Sequence, residues 1–189
     1  MKRCSNTVLG VIAVVCSFLA CGNGLFAAEA AEIQAAAAPV VNAGDTTWVL
    51  IASALVMLMT PGLAFFYGGL VRRKNILSIL MQCLMMLCLI SIQWVLIGYT
   101  LAFGPDVHGI IGNLDWSWLK HVGISPSEYA PKIPHQAFVI FQMMFAVITP
   151  GLIVGAFAER MKFSAFCVFS LLWATLVYDP IAHWMWGKG

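Results

Sequence analysis

Two long runs without a charged residue decide the fold: Trp48–Tyr67, WVLIASALVMLMTPGLAFFY, and Ile76–Phe103, ILSILMQCLMMLCLISIQWVLIGYTLAF. Each is long enough to cross the hydrocarbon core of a bilayer as a helix, which takes about 20 residues. Two more runs follow at Ala137–Ala158, which has no charge, and Phe163–Trp186, whose only charged residue is Asp179. Lipid offers the backbone no hydrogen-bond partner, so each run must be helical. The sequence therefore predicts an all-α, polytopic transmembrane bundle.

The composition of the chain agrees with this fold and excludes several classes of protein. Hydrophobic residues make up 61% of the chain and charged residues only 10%, whereas a soluble domain carries about 25% charged residues. The net charge of +2 comes without a basic block, which argues against a nucleic-acid partner. The six cysteines show no metal-ligand spacing, so neither a metal nor another cofactor is predicted.

The N-terminus is typical of a secretory signal peptide. A positive start, a short apolar core and small residues that suit cleavage follow one another at Met1–Arg3, Val8–Ala20 and Ala27–Ala30. We predict a signal peptide over residues 1–30 and an exposed, alanine-rich linker over residues 31–45. An uncleaved first helix and a lipoprotein signal at Leu19–Cys21 are the alternatives.

The loops between the apolar runs predict how the bundle is oriented. Arg72–Lys74 and Arg160–Lys162 make two short connections basic, and short basic loops stay in the cytoplasm. Gly104–Pro134 has charges of both signs and should lie outside. Removal of a signal peptide would place the mature N-terminus outside as well. The sequence thus predicts a multi-pass protein of the inner (plasma) membrane.

One tetrapeptide occurs twice, as Thr60–Leu63 and as Thr149–Leu152, both TPGL. A proline inside a span leaves a backbone carbonyl without its helical partner. The repeat therefore indicates either the interrupted helices of transporters or ordinary proline kinks in packed helices.

Three longer stretches carry a family resemblance: Thr60–Asn75, TPGLAFFYGGLVRRKN; Phe141–Arg160, FQMMFAVITPGLIVGAFAER; and Pro180–Gly187, PIAHWMWG. In order and placement they resemble the first four mature helices of the Amt/Rh ammonium transporter family. The resemblance covers roughly Asp45–Gly189. Residues 46–189 would then be the N-terminal part of an ammonium transporter domain.

The resemblance implies a homotrimer of eleven-helix subunits, each with a narrow hydrophobic pore for ammonium or ammonia. It also implies a cytoplasmic regulatory partner of the PII type. The pore histidines of the family would lie beyond Gly189, so we expect the chain to be incomplete and unable to form a pore alone. A sensor of the same fold is the main alternative, and a signalling domain at the C-terminus would distinguish it. An enzyme is not predicted, because the spans lack converging catalytic groups.

The resemblance also predicts an outer cation-recruitment site at Phe145 and Trp186, with Phe141 as a weaker candidate. Phe141 and Phe145 are four residues apart and share a helix face. The fourth span runs outward, which returns Trp186 to the same side. Aromatic faces attract cations. The alternative is core packing for the phenylalanines and an interfacial position for Trp186.

For the ionisable residues in and near the spans, we predict local pairing or contact with solvent and no direct functional role. Asp179 precedes His183 by four residues, so we expect a local pair on one helix face. We expect Glu159 and Arg160 to pair at the cytoplasmic helix end. Three histidines in or beside the outer segment are expected to be solvated: His108, His121 and His135.

Overall fold

A computed structural model describes residues 41–189, so the predicted signal peptide 1–30 and most of the predicted linker 31–45 lie outside the described residues. In the described part, four long apolar segments are helical, which confirms the predicted transmembrane bundle. The helices are α1 Ala43–Leu70, α2 Ile76–Gln93, α3 Tyr99–Phe103, α4 His135–Phe157, α5 Phe163–Trp173 and α6 Asp179–Trp186.

The second and fourth spans each contain one π-helical turn. Trp94–Gly98 joins α2 to α3, and Ala174–Tyr178 joins α5 to α6. The first and third spans, α1 and α4, continue as α-helices through Pro61 and Pro150. Both TPGL copies therefore lie inside continuous helices, which agrees with the ordinary-proline alternative.

The start of α1 is set by Asn42, whose side chain accepts hydrogen bonds from the backbone N–H groups of Gly44 and Asp45 at 2.8 and 3.2 Å. Such a cap satisfies N–H groups that have no partner within the helix. The helix consequently begins at Ala43, and the last residues of the predicted linker form its first turn.

The two TPGL copies lie side by side, because α1 packs against α4. A Cβ added at Gly151 would lie 3.5 Å from Leu63 Cδ2. One turn further on, the Tyr67 hydroxyl donates to the Leu152 carbonyl at 2.8 Å. Half of the most apolar window of α4 is buried, against 17% of that of α1. Helix α4 therefore lies near the centre of the described bundle, and α1 lies at its edge.

The segment between the second and third spans contains two short antiparallel hairpins that the sequence did not predict. Strand β1 (Asp106–Val107) pairs with β2 (Ile111–Gly112), and β3 (Pro126–Ser127) pairs with β4 (Ala130–Pro134). We call this end of the bundle the hairpin end. The opposite end carries the two basic loops, and we call it the basic end.

Aromatic rings fill the core beneath the hairpins. Tyr99 stacks on Trp116 with ring centroids 5.8 Å apart, and Trp94 meets Tyr99 edge-on at 5.9 Å. Phe103 completes this cluster against Phe138. These contacts fasten the hairpins onto the second and third spans, next to the residues that the sequence analysis proposed as a site.

Candidate functional site

Phe145 and Trp186 line one cavity, although they lie on different spans. Phe145 is half-buried on α4, while Trp186 ends α6 with 54% of its surface exposed. The cavity has a volume of about 270 Å³. The rest of its wall comes from Thr149, Trp173, Tyr178, Ile181 and Ala182. The structure thus brings two of the three proposed site residues to one place, and their role in binding stays a prediction.

Phe141, the third proposed residue, lies behind this wall. Its ring meets that of Phe145 edge-on, with centroids 5.1 Å apart and planes at 79°. It is not among the residues that line the cavity. Phe141 therefore holds the Phe145 ring from the side, and the structure gives it no direct place at the cavity surface.

The cavity wall includes two hydroxyl groups that the sequence analysis missed. Thr149 lies one turn after Phe145 and donates its hydroxyl hydrogen to the Phe145 carbonyl at 2.7 Å. Its oxygen can still accept hydrogen bonds. Tyr178 adds a second hydroxyl, and none of the described residues that line the cavity is charged. The four-residue spacing of Tyr178, Ala182 and Trp186 places them on one helix side, a pattern that could have revealed Tyr178.

His183 lies on α6 beside the cavity and ties this helix to β1. The ring is fully buried; Nδ1 lies 3.0 Å from the Ala102 carbonyl oxygen, and Nε2 lies 3.0 Å from Asp106 Oδ1. The bond from His183 and the backbone N–H of Gly109 hold the Asp106 pKa below its usual value, so Asp106 is ionised. A carbonyl and a carboxylate only accept. The two ring nitrogens of His183 therefore face acceptors on two different segments, the second span and β1.

His135 is buried, so the prediction that it is solvated is wrong. Only 6% of it is exposed, its Nε2 lies 2.5 Å from the Tyr99 hydroxyl, and its ring meets Trp116 edge-on at 5.1 Å. His108 and His121 are exposed as predicted. His135 differs because it opens α4 directly under the hairpins.

The predicted Asp179–His183 pair is also wrong. Asp179 Oδ2 instead accepts from the Gln93 side-chain amide at 2.7 Å. Asp179 is fully buried and Gln93 is 3% exposed. Since His183 is bound at both nitrogens, the acid and the histidine serve different neighbours: Asp179 links the fourth span to the second, and His183 links it to the hairpin.

At the basic end, Glu159 pairs with Arg72 and not with Arg160 as predicted. The Glu159 carboxylate forms an ion pair with Arg72, whose Nη2 lies 2.9 Å away. It also accepts hydrogen bonds from Asn75 Nδ2 at 2.7 Å and from the Arg72 backbone N–H at 3.1 Å. These donors lower the Glu159 pKa to about 2. Glu159 reaches them in a left-handed backbone conformation, with φ of 63°. Its side chain thereby joins the two basic loops.

Comparison with known proteins identifies the family. A profile of the Ammonium Transporter Family matches residues 47–189. The chain belongs to the ammonium transporter family. It is 56% identical to an ammonium transporter of Bacillus subtilis over 146 residues, which cover 77% of this chain and 36% of the relative.

Solved structures of ammonium transporter relatives share the fold. The chain superposes on Candida albicans Mep2 with a TM-score of 0.72 at 37% identity, covering 78% of this chain and 32% of that one. A sensor Amt protein gives a TM-score of 0.69 at 27% identity, over 76% of this chain and 34% of that one. The chain thus spans about a third of the length of these relatives. Its apolar helices and its family make it part of a multi-pass membrane protein.

Proposed function

We propose that the full-length protein conducts ammonium or ammonia across the membrane, and that Phe145 and Trp186 form its outer cation-recruitment site. The observation that supports this best is the cavity between them, whose described lining has aromatic walls and two hydroxyls but no charged residue. Phe141 supports the Phe145 ring in this proposal.

The chemistry of the cavity suits ammonium better than sodium. Each ring attracts a cation by about 0.5–2 kcal/mol, and by more where water is excluded. Ammonium also donates hydrogen bonds, and the oxygens of Thr149 and Tyr178 can accept them. Sodium cannot donate, so it would have to exchange its hydration shell for the ring faces and at most these two hydroxyl oxygens. A wall without a carboxylate also lets the ion leave again, which transport requires.

Uptake of radiolabelled methylammonium by cells that lack their own transporters tests the site in the full-length protein. We expect Trp186→Leu and Phe145→Ala each to weaken apparent affinity by roughly 2- to 30-fold, the equivalent of one cation–π contact. The amount of assembled protein should be unchanged. Trp48→Leu is the matched control, because Trp48 is 73% exposed on α1 at the same end of the bundle. Unaltered affinity and selectivity in both site variants would show that the assignment is wrong.

The assembly and orientation of the protein are proposals of the same kind. We propose a homotrimer in the plasma membrane with the basic end in the cytoplasm, where a PII-type regulatory protein would bind. Support comes from the basic loops and from α1, whose apolar side chains are largely exposed and can meet lipid or another subunit. The mass of the full-length protein in a lipid nanodisc tests the trimer.

A sensor is the second candidate, since the fold also matches a sensor Amt protein. A sensor would bind ammonium at the same cavity but show no uptake. Binding without uptake in the full-length protein would favour the sensor over the transporter.

A further inference from the structure

Asp179 is a fully buried acid with half of its carboxyl group unpaired. Oδ2 accepts from Gln93 Nε2 at 2.7 Å. Oδ1 is buried and has no hydrogen-bond partner among the described residues, and Gln93 Oε1 is in the same situation. Buried polar atoms are almost always paired, so these two acceptors, on side chains already joined through Oδ2 and Nε2, indicate a missing donor.

The two side chains lie where the second and fourth spans both depart from α-helical geometry. Gln93 immediately precedes the π-turn Trp94–Gly98, and Asp179 immediately follows the π-turn Ala174–Tyr178. Thr175 lies in the π-turn of the fourth span, and its Oγ1 accepts a hydrogen bond from Gln93 Nε2 at 3.2 Å. π-turns occur frequently at functional sites. The position of both side chains directly beside such turns therefore favours a specific role for the pair.

No cation neutralises Asp179 in the described part of the chain. The second span has no Lys, Arg, His, Asp or Glu between residues 76 and 103. On α6 the nearest ionisable side chain is His183, whose two ring nitrogens already lie 3.0 Å from the Ala102 carbonyl oxygen and 3.0 Å from Asp106 Oδ1. Lys188, beyond α6, pairs with Glu128. The preceding residue, Tyr178, supplies no cation either, and an ionised Asp179 would be an uncompensated buried charge.

The Gln93 carboxamide packs closely against Gly98. A Cβ added at Gly98 would lie 2.8 Å from Gln93 Oε1 and 2.9 Å from Gln93 Nε2. The carboxamide thus occupies the volume that a side chain at position 98 would fill. A proton would satisfy the two oxygens without adding volume to this packed contact.

We propose that Asp179 is a proton-binding site, and that its protonated carboxyl pairs with the Gln93 carboxamide through two hydrogen bonds. The amide donates from Nε2 to Oδ2, and the acid donates from Oδ1 to Oε1. One proton taken up from water by the carboxylate converts Oδ1 from an acceptor into a donor. This satisfies both unpaired oxygens and removes the charge.

The proposed pair positions the cavity wall. Helix α6 begins at Asp179 and carries Ala182 and Trp186, both of which line the cavity. The pair holds the start of that helix against the second span. Asp179 is therefore a positioning residue, and its protonation can be tested without measuring transport, so its failure is distinct from failure of the proposed function.

Infrared spectroscopy of the full-length protein in lipid tests the proton directly. With aspartate labelled by ¹³C at the side-chain carboxyl, we expect a protonated-acid carbonyl band at neutral pH that shifts in D₂O. The band should disappear in Asp179→Asn and remain in the matched control Asp106→Asn. Absence of an aspartic acid band, or a band that Asp179→Asn does not change, would overturn the proposal. A carboxylate that holds a cation would also give no such band.

A variant of Gln93 tests the same hydrogen bond if Asp179→Asn folds poorly. Gln93→Met removes the acceptor of the acid proton, so the band should move to a higher frequency, and an unmoved band would contradict the pairing. Asparagine offers the same donor and acceptor as a protonated acid. The melting temperature of Asp179→Asn should therefore match the parent protein and exceed that of Asp179→Leu. Equal melting of the two variants would also count against the pair.

Discussion

The contact between Gly155 and Tyr67 makes a sharp prediction for Gly155→Ala. The added Cβ would lie 2.7 Å from Tyr67 Cε1 and 3.3 Å from its hydroxyl oxygen, whereas ordinary contact begins at 3.4 Å. The ring would have to retreat by about 0.7 Å, the difference between 2.7 and 3.4 Å. That movement strains its 2.8 Å hydrogen bond to Leu152.

The expected magnitude combines two opposing effects. Overpacking of this kind costs about 1–3 kcal/mol, and replacement of a helical glycine by alanine returns about 1 kcal/mol. Gly155→Ala should therefore lower the free energy of unfolding by up to about 2 kcal/mol. In a Tyr67→Ala background the clash is gone and only the gain remains, so the effect of Gly155→Ala should differ between the two backgrounds by about 1–3 kcal/mol.

Unfolding of the full-length protein by SDS in mixed micelles measures this double-mutant cycle. Gly62→Ala is the matched control, because it lies in α1 beside the other TPGL proline and nothing lies within 4 Å of its added Cβ. It should be neutral or stabilising. The packing argument fails if Gly155→Ala is as well tolerated as Gly62→Ala, or if its effect is the same with and without the Tyr67 ring.

Three further predictions concern buried hydrogen bonding, a charged contact and orientation. Tyr99→Phe should lower the free energy of unfolding by about 1–3 kcal/mol, measured in the same micelles, because it leaves the buried nitrogen of His135 without its partner; an unchanged stability would show that another group replaces the hydroxyl. Glu159→Gln should reduce the melting temperature above pH 4.5, and the gap from the parent protein should close as pH falls from 4.5 to about 2, because the contact with its arginine holds the folded-state pKa low; a gap that widens with acid would reverse the sign. A maleimide applied from outside should label Ser125→Cys and not Asn75→Cys, and the opposite pattern would invert the proposed orientation.

The four spans could be predicted from the sequence because absence of charge over about 20 residues is a property of the chain alone. The bounds of the first and third spans differ from the prediction by one to five residues, and the largest difference is at the start of α1, where Asn42 caps the helix. The π-turns were not predicted, because one extra residue in a helical turn hardly changes an almost uniformly apolar pattern. The hairpins were not predicted either, since three of their four strands are two residues long.

The side-chain partners were harder to predict than the spans. The sequence analysis paired ionisable residues with close neighbours in the chain, whereas Gln93 reaches Asp179 across 86 residues and Arg72 reaches Glu159 across 87. These pairings depend on how the spans pack. Phe145 and Trp186 were selected through a family resemblance, and the hydroxyls of Thr149 and Tyr178 became visible only once the spans were placed together.

The contact between the two TPGL helices also bears on how the protein is made. Tyr67 and its acceptor Leu152 are separated by 85 residues, and a ribosome adds about 5–20 residues per second. The first span therefore waits about 4–17 s for the helix against which it packs. During that interval the tyrosine hydroxyl must be satisfied by water, by a lipid headgroup or by the insertion machinery. Helix α1 therefore enters the membrane before the face that carries Tyr67 has its packing partner, and the third span supplies that partner.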